Sequence, residues 1–241
     1  MTDQRVLWVT GGGSGMGAAS AEAAARDGWT VVLSGRRADR LEQVARTVRG
    51  AGGTADVLPL DANDPDAVAA ARDTVLERHG RLDGLVLAAG LNAPRRRWDD
   101  QSLTDFRAIV DTNLTAVVSL VDAALPALRS SGGGVVVVVS SYAGWSFQPG
   151  AGVAYSASKS ALASVVRTLN QQEAEHGVRA THLCPGDVAT DFLDQRPEVP
   201  DAAARQRMLQ PEDIGRTVAF VLGSPAHVRI DELVLSPVSQ R

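Results

Sequence analysis

One cysteine, Cys184, and one lysine, Lys159, are all that the 241 residues contain of these two types. A lone cysteine excludes an intramolecular disulfide and leaves no set of thiolates to hold a metal. The four histidines, His79, His176, His182 and His227, show no metal-ligand spacing and read as structural, so no metal is expected. At Met1-Thr2-Asp3-Gln4-Arg5 the chain lacks the basic, apolar and small-residue succession that directs export. No apolar run approaches the length of a membrane span. These absences set the expectation of a cytoplasmic protein with no membrane partner. A net charge of −4 argues against a nucleic-acid surface. Scarcity also points inward: among 24 basic residues all but one are arginine, and the place of the single lysine asks for a reason.

What the chain does contain is a regular alternation of short apolar runs with helix-forming stretches. Residues 5–10, 30–34, 54–60, 85–88, 135–140, 179–183 and 232–235 read as strands. They are continuous apolar runs rather than polar alternations, as strands of a parallel sheet covered on both faces require. Residues 16–27, 38–48, 64–79, 104–128, 155–175 and 211–222 read as the intervening helices, with Pro65 suited to a first turn and Pro126 able to bend a last one. The five valines from Val135 to Val139 place that strand in the middle of the sheet. The fold expected is α/β: one Rossmann domain over 1–241, a seven-stranded parallel sheet with helices on both faces. The least regular stretch, 191–210, is expected to form a mobile lid.

Thr10-Gly11-Gly12-Gly13-Ser14-Gly15-Met16-Gly17 converts the first strand into the first helix. Glycines at 11, 15 and 17 permit a tight turn, a close approach of backbone to phosphate oxygens, and close packing of helix on strand. The helix start then offers unpaired N–H groups and a partial positive charge to an anion. Taken alone, such a loop is also compatible with a turn that binds nothing. In Tyr155-Ser156-Ala157-Ser158-Lys159, a tyrosine and the only lysine stand four residues apart on one helix face. A phenol of ordinary pKa, about 10, is a poor base at neutral pH; a neighbouring ammonium favours its phenolate and makes it a readier proton donor to a developing alkoxide.

The spacing T-G-x-x-x-G-x-G together with Y-x-x-x-K resembles the short-chain dehydrogenase/reductase family, and the resemblance extends over almost the whole chain. It implies metal-free hydride transfer with NAD(P). By this resemblance the loop residues Gly11, Gly13, Ser14, Gly15, Met16 and Gly17 hold the cofactor, Asp61 binds the adenine amino group and Ala62 lies beside it. Ala89 and Gly90, the part of a usual N-N-A-G that is kept here, let backbone pass beside the cofactor. Pro185 and Gly186 form the turn beside the nicotinamide, while Val188 and Thr190 contact its carboxamide. Tyr155 is the acid and base, Lys159 tunes it and binds the nicotinamide ribose, Ser141 hydrogen-bonds the substrate oxygen, and Asn113 holds a relay water. Between Ser141 and Tyr155 the chain has one residue more than the family commonly has, which lengthens the 144–150 loop and leaves Ser140 as an alternative. After the second strand, where an acidic residue would favour NAD, stands Gly35, followed by Arg36 and Arg37. A carboxylate there repels a 2′-phosphate, whereas a glycine makes room and a guanidinium grips it, so NADP(H) is expected. The competing reading has both arginines in solvent at the start of the next helix.

The ending, Ser224-Pro225-Ala226-His227-Val228 and then Pro237-Val238-Ser239-Gln240, is similar to bacterial NADP-dependent 3-hydroxy acid dehydrogenases. Arg95-Arg96-Arg97 offers a guanidinium to a substrate carboxylate, with at least two of the three solvated. Trp98, Trp145 and Phe147 either line an apolar substrate wall or pack on the core. The expected function is an NADPH-dependent carbonyl reductase, reversibly an alcohol dehydrogenase, on a ketone or a 3-hydroxy acid-like substrate. The alternatives are a 3-oxoacyl thioester or secondary-metabolite ketoreductase and, in another class, a protein that senses NADP(H) without chemistry. Family members usually assemble through the helices after strands four and five, so a homo-oligomer, dimer or tetramer, is expected.

Overall fold

A computed structural model describes residues 4–240, so the reading of the first three residues lies outside it. Each of the first six strands is followed by at least one helix. The first half runs β1 (Val6–Thr10), α1 (Gly15–Arg26), β2 (Thr30–Gly35), α2 (Ala38–Gly50), β3 (Thr54–Pro59), α3 (Pro65–His79) and β4 (Gly84–Leu87). Then come α4 (Leu103–Val110) and α5 (Ala116–Ser130), joined by a π-helical turn (Asp111–Thr115), and β5 (Gly134–Val139). The second half continues with α6 (Tyr142–Trp145), α7 (Val153–Gln172), β6 (Val178–Pro185), α8 (Ala202–Gln206), α9 (Pro211–Leu222) and β7 (Glu232–Leu235).

The seven strands pair in parallel in the order β3-β2-β1-β4-β5-β6-β7. The chain winds outward from β1 in one direction and then from β4 in the other, which opens a crevice at the carboxyl ends of these two neighbours. The valine run of β5 is not the centre: that place belongs to β4, and β5 lies beside it. Both strands are buried along their whole length, so apolarity alone does not separate a central strand from its neighbour.

Alternate residues of each strand enter different cores, because successive side chains point to opposite faces. Trp8, Val32, Leu85, Leu87, Val136 and Val138 join α3, α5 and α7; Leu7, Val9, Val31, Leu33, Val86 and Val137 join α1, α2 and α9. The alanine-rich α1 lies close against α9, where a methyl group on Gly215 would come within 2.5 Å of the Ala19 carbonyl oxygen. Only small residues permit that approach. It fixes the helix that begins at the glycine loop.

From Leu103 to Ser130 the chain is helical for 28 residues and contains an 18-residue window of mean hydropathy 1.5, long and apolar enough by length and composition to cross a membrane. This corrects the expectation that no apolar stretch approaches such a length; scattered charges had interrupted the run. Leu120, Val121, Ala124, Ala127 and Leu128 of this helix are part of the core against the sheet. Pro126 is accommodated inside α5, which continues to Ser130. The 191–210 stretch contains a 3-10 helix (Asp191–Gln195) and α8, with Arg205 tying them together through Asp194 at 2.6 Å and the Thr190 carbonyl at 3.2 Å.

Candidate active site

The glycine loop is closed by its own backbone. A Cβ on Gly17 would lie 2.3 Å from the Gly11 carbonyl oxygen, and one on Gly11, which has φ +69, would lie 2.6 Å from the Ala89 nitrogen. These contacts draw the first turn of α1 against the ends of β1 and β4. Ser14 precedes the helix in an extended conformation, and its side chain makes no capping hydrogen bond; its oxygen accepts instead from Arg37 Nη2 at 3.2 Å. The first N–H groups of α1 are therefore left to an anion. Thr10, also on the cleft, has a buried hydroxyl with no partner among the described residues. Uncapped helix, glycine cradle and flanking guanidinium fit the diphosphate of a dinucleotide.

A cleft of about 680 Å³ extends from this loop in both directions. Gly11, Gly13, Ser14, Gly15, Met16 and Gly17 line its middle, Arg36, Arg37, Asp61 and Ala62 one side, and Ala89, Gly90, Tyr155, Lys159 and Thr190 the other. Pro185, Gly186 and Val188, expected beside the nicotinamide, do not line it. Val188 is buried in the core and bridges to Leu209, and Gly186 is covered by the side chain of Gln240. The chain passes behind the wall here, and Thr190 is where it returns to the cleft.

At the Tyr155 end the two candidate serines part. Ser141 hydrogen-bonds the Tyr155 hydroxyl and also accepts from the Ala143 nitrogen at 3.2 Å, capping the short α6. Ser140 lines the cleft, as Ser141 does not, but its hydroxyl is committed to the Lys159 carbonyl at 3.1 Å. The additional residue is thus absorbed between α6 and α7 without losing the Ser141–Tyr155 contact. Lys159 is buried, donates to the Val139 carbonyl at 2.9 Å, and has its Nζ 5.9 Å from the centre of the Tyr155 ring. Burial lowers its pKa to about 8. The acidity of Tyr155 departs from expectation: burial raises its pKa, while the Ser141 hydrogen bond, Arg196 and Arg96 pull it down and Asp187 pushes it up. Arg196 and Arg96 are cations that favour its phenolate.

Asn113 sits buried in the π-helical turn. Its Oδ1 accepts from the Leu91 nitrogen at 2.7 Å, and its Nδ2 donates to the Leu91 carbonyl at 2.9 Å and to Ser158 Oγ at 3.1 Å. The side chain expected to hold a water ties down the loop after β4 and does not itself line the cleft. Trp98 and Phe147 are strongly exposed, and Trp145 packs edge-on against Tyr142; none of the three lines the cleft. Its aromatic wall is Phe192, tilted 6.0 Å from the Tyr155 ring. No motif marked Phe192, Gln195, Thr112 or Asn63, all of which line the cleft. Of the three consecutive arginines, Arg95 and Arg97 are exposed and Arg96 is tucked inward.

One cluster could not be read from histidine spacing along the chain. The pairing of β6 with β7 brings His182, Cys184 and Glu232 within 4.8 Å of one another, although 50 residues separate His182 from Glu232. His182 Nδ1 faces Glu232 Oε2 at 3.1 Å, and burial raises the Cys184 thiol to about 12 and lowers the imidazole. Linear spacing does not register side chains that meet across strands.

Comparison with known proteins agrees with the geometry. The family model described as short chain dehydrogenase matches residues 5–200. Sulfoacetaldehyde reductase 2 of Chromohalobacter salexigens is 33% identical over 245 residues, covering 98% of this chain and 95% of that protein. Glycine betaine reductase of Emericella nidulans is 32% identical over 97% of this chain, which spans only 19% of that protein's length. An alcohol dehydrogenase from the archaeon Thermococcus sibiricus, complexed with 5-hydroxy-NADP, superposes with a TM-score of 0.89 at 32% identity, covering 99% of this chain and 98% of the other. The fold, the uncapped helix at the glycine loop and a family match over most of the length agree, and the chain belongs to the short-chain dehydrogenase family of oxidoreductases.

Proposed function

We propose that the protein is an NADPH-dependent carbonyl reductase, reversibly an alcohol dehydrogenase, acting on a ketone or a 3-hydroxy acid-like substrate. The observation that carries this reading is the placement of Tyr155 and Lys159 at one end of a cleft whose other end is flanked by Arg36 and Arg37, with Ser141 set behind the lining against the Tyr155 hydroxyl. A bound nicotinamide supplies the hydride in reduction and accepts it in oxidation. Ser141 holds the substrate oxygen beside the Tyr155 hydroxyl. Tyr155 gives its proton to the forming alkoxide and takes it back in the reverse direction. The burial that raises its pKa keeps the phenol protonated at neutral pH, the form that reduction requires. Lys159 reaches the cleft with its ammonium anchored on Val139 and orients the ribose hydroxyls. Gly35, Arg36 and Arg37 favour the 2′-phosphate, with Arg37 already held to the loop through Ser14. The exposed apolar side chains of Leu103 and Val118 on the α4–α5 helix support assembly into a homo-oligomer, which sedimentation at several concentrations checks.

The test follows absorbance of NADPH and NADH over a panel of carbonyl compounds, for the wild type and Tyr155→Phe. NADPH is consumed much faster than NADH, and the variant loses about 10²- to 10⁴-fold in kcat while still binding nucleotide. Tight nucleotide binding by the wild type with no turnover across the panel would refute the reductase and favour a protein that senses NADP(H).

A further inference from the structure

Three loops meet beside Tyr155: 91–97 after β4, 148–152 before α7, and 191–196 after β6. Arg96 ties them together. Its Nε donates to the Ala93 carbonyl at 2.7 Å, its Nη2 to the Gln195 carbonyl at 2.5 Å, and its Nη1 to the Gly150 carbonyl at 3.4 Å. Gly152 gives it room, since a methyl there would come within 2.6 Å of Arg96 Cβ. Arg96 and Tyr155 line the same small recess.

Every one of these partners is a carbonyl oxygen. Among the described residues no carboxylate forms an ion pair with Arg96: Asp100 acts on it only through space, and Asp105, in the same recess, pairs with Arg95, so a positive charge without a direct partner lies partly buried beside the phenol. Three of the five guanidinium N–H groups are used, leaving two for a ligand. Arg196, on the third of these loops, is the second cation acting on Tyr155, and both of its Nη atoms engage Asp187. Arg96, Arg196 and Asp187 are the charges that act on Tyr155, and together they sum to one positive charge. Closing three loops does not require an ion, and a buried cation without a counter-charge is costly. That cost shows in Arg96, whose pKa is lowered first by burial and then by Arg196, with Tyr155 and Asp100 offsetting only part of it. The missing counter-charge is the feature a ligand can supply.

We propose that the substrate carries, besides its reacting carbonyl or hydroxyl, an anionic group, a carboxylate or a sulfonate, seated against Arg96 and Arg196 while its oxygen meets Tyr155 and Ser141. This rests on the reductase reading and adds the substrate class.

The experiment measures kcat/KM with NADPH for succinic semialdehyde against its terminal amide, and for the sulfonate of the same chain length against its sulfonamide. The wild type prefers the anionic member of at least one pair by about ten- to a hundredfold, as a charge-assisted hydrogen bond supplies. The better pair identifies the anion. Arg96→Gln brings the ratio within that pair close to one, and Arg96→Lys, which keeps the charge without the fork that ties the loops, retains most of it. The ratio is internal to each variant, so partial loss of folded protein cancels. A wild type with no preference in either pair overturns the inference and leaves a reductase. So do Arg96→Gln and Arg96→Lys if they lower both members of a pair equally, since Arg96 would then be a loop clamp only. No turnover of any of the four compounds, nor of the wider carbonyl panel, overturns the reductase reading itself.

Discussion

The two ends of the cleft are built on different principles. At the loop between β1 and α1 the site is backbone: N–H groups of an uncapped helix, and glycines whose Cβ positions are taken by Gly11 and Ala89 atoms. Around Tyr155 the site is side chains delivered by three separate loops and held by Asn113 and Arg96. A backbone site tolerates almost no added atom but is indifferent to most neighbouring side chains. A side-chain site can be retuned one residue at a time.

Gly17→Ala is the strongest way to break this contrast. Its methyl group would stand 2.3 Å from the Gly11 carbonyl oxygen, and neither partner can retreat while α1 rests on α9 through Gly215. Overpacking of this kind costs about 1–3 kcal/mol, so nucleotide affinity falls about ten- to a hundredfold, measured by titration calorimetry, together with a lower melting temperature. An Ala variant that binds nucleotide normally would show that the loop is not the rigid cradle described. Tyr155→Phe sharpens the same contrast from the other side, with turnover lost and nucleotide binding kept.

The paired change Arg36→Glu and Arg37→Glu tests the outer rim of the nucleotide end, where side chains, not backbone, are proposed to choose the cofactor. The ratio of kcat/KM for NADPH over NADH falls about ten- to a hundredfold, because each lost charged hydrogen bond is worth about 1.5–3 kcal/mol and a carboxylate adds repulsion. An unchanged ratio places both arginines in solvent and returns the cofactor choice to other residues.

How far these ends could be read from the chain follows the same division. The glycine loop and the Tyr155–Lys159 pair are local patterns, and each is visible because the residues that cooperate lie within eight positions. The strands were equally legible, since burial on both faces leaves uninterrupted apolar runs. The partners of Asn113 were not: Leu91 is 22 residues away and Ser158 is 45. Nothing in Asp191-Phe192-Leu193 announces which side chain turns to Tyr155, and nothing in Arg95-Arg96-Arg97 selects the middle arginine. Those choices are made when three loops close on one another. The pairing of His182 with Glu232 depends likewise on which strands become neighbours.

Asn113→Ala tests the closure at the substrate end. It leaves the Leu91 N–H and C=O without their partners, at about 1–3 kcal/mol for a buried polar group. The Michaelis constant for the carbonyl compound rises several-fold while that for the nucleotide changes less. Equal rises in both would mean that the π-helical turn supports the whole cleft rather than the loop after β4.

The smallest effect is a pH dependence of stability, and it too separates neighbouring groups. Lys159 has its pKa lowered from 10.5 to about 8 by burial, so from about pH 8 upward the folded protein has released a proton that the unfolded chain still holds. Stability therefore rises with pH through this window, at most about 1.4 kcal/mol per unit. Cys184 works in the opposite sense. Its thiol is raised from 9.0 to about 12, so above pH 9 the unfolded chain loses a proton that the folded protein keeps, and stability falls. Between about pH 8 and 9 only the lysine contribution acts, raising the melting temperature by about 2–4 °C in a chain of this size. From pH 9 to about 10.5 the two slopes oppose each other, and beyond that the cysteine contribution dominates. Lys159→Met removes the rise between pH 8 and 9, and Cys184→Ala removes part of the later fall, to which the raised Tyr155 also contributes. Melting curves recorded across pH 7.5–10.5 for the wild type and both variants check the signs. A wild-type curve that falls from pH 8 onward would mean that the ammonium of Lys159 is better compensated than its burial implies and stays charged beside Tyr155 through this range.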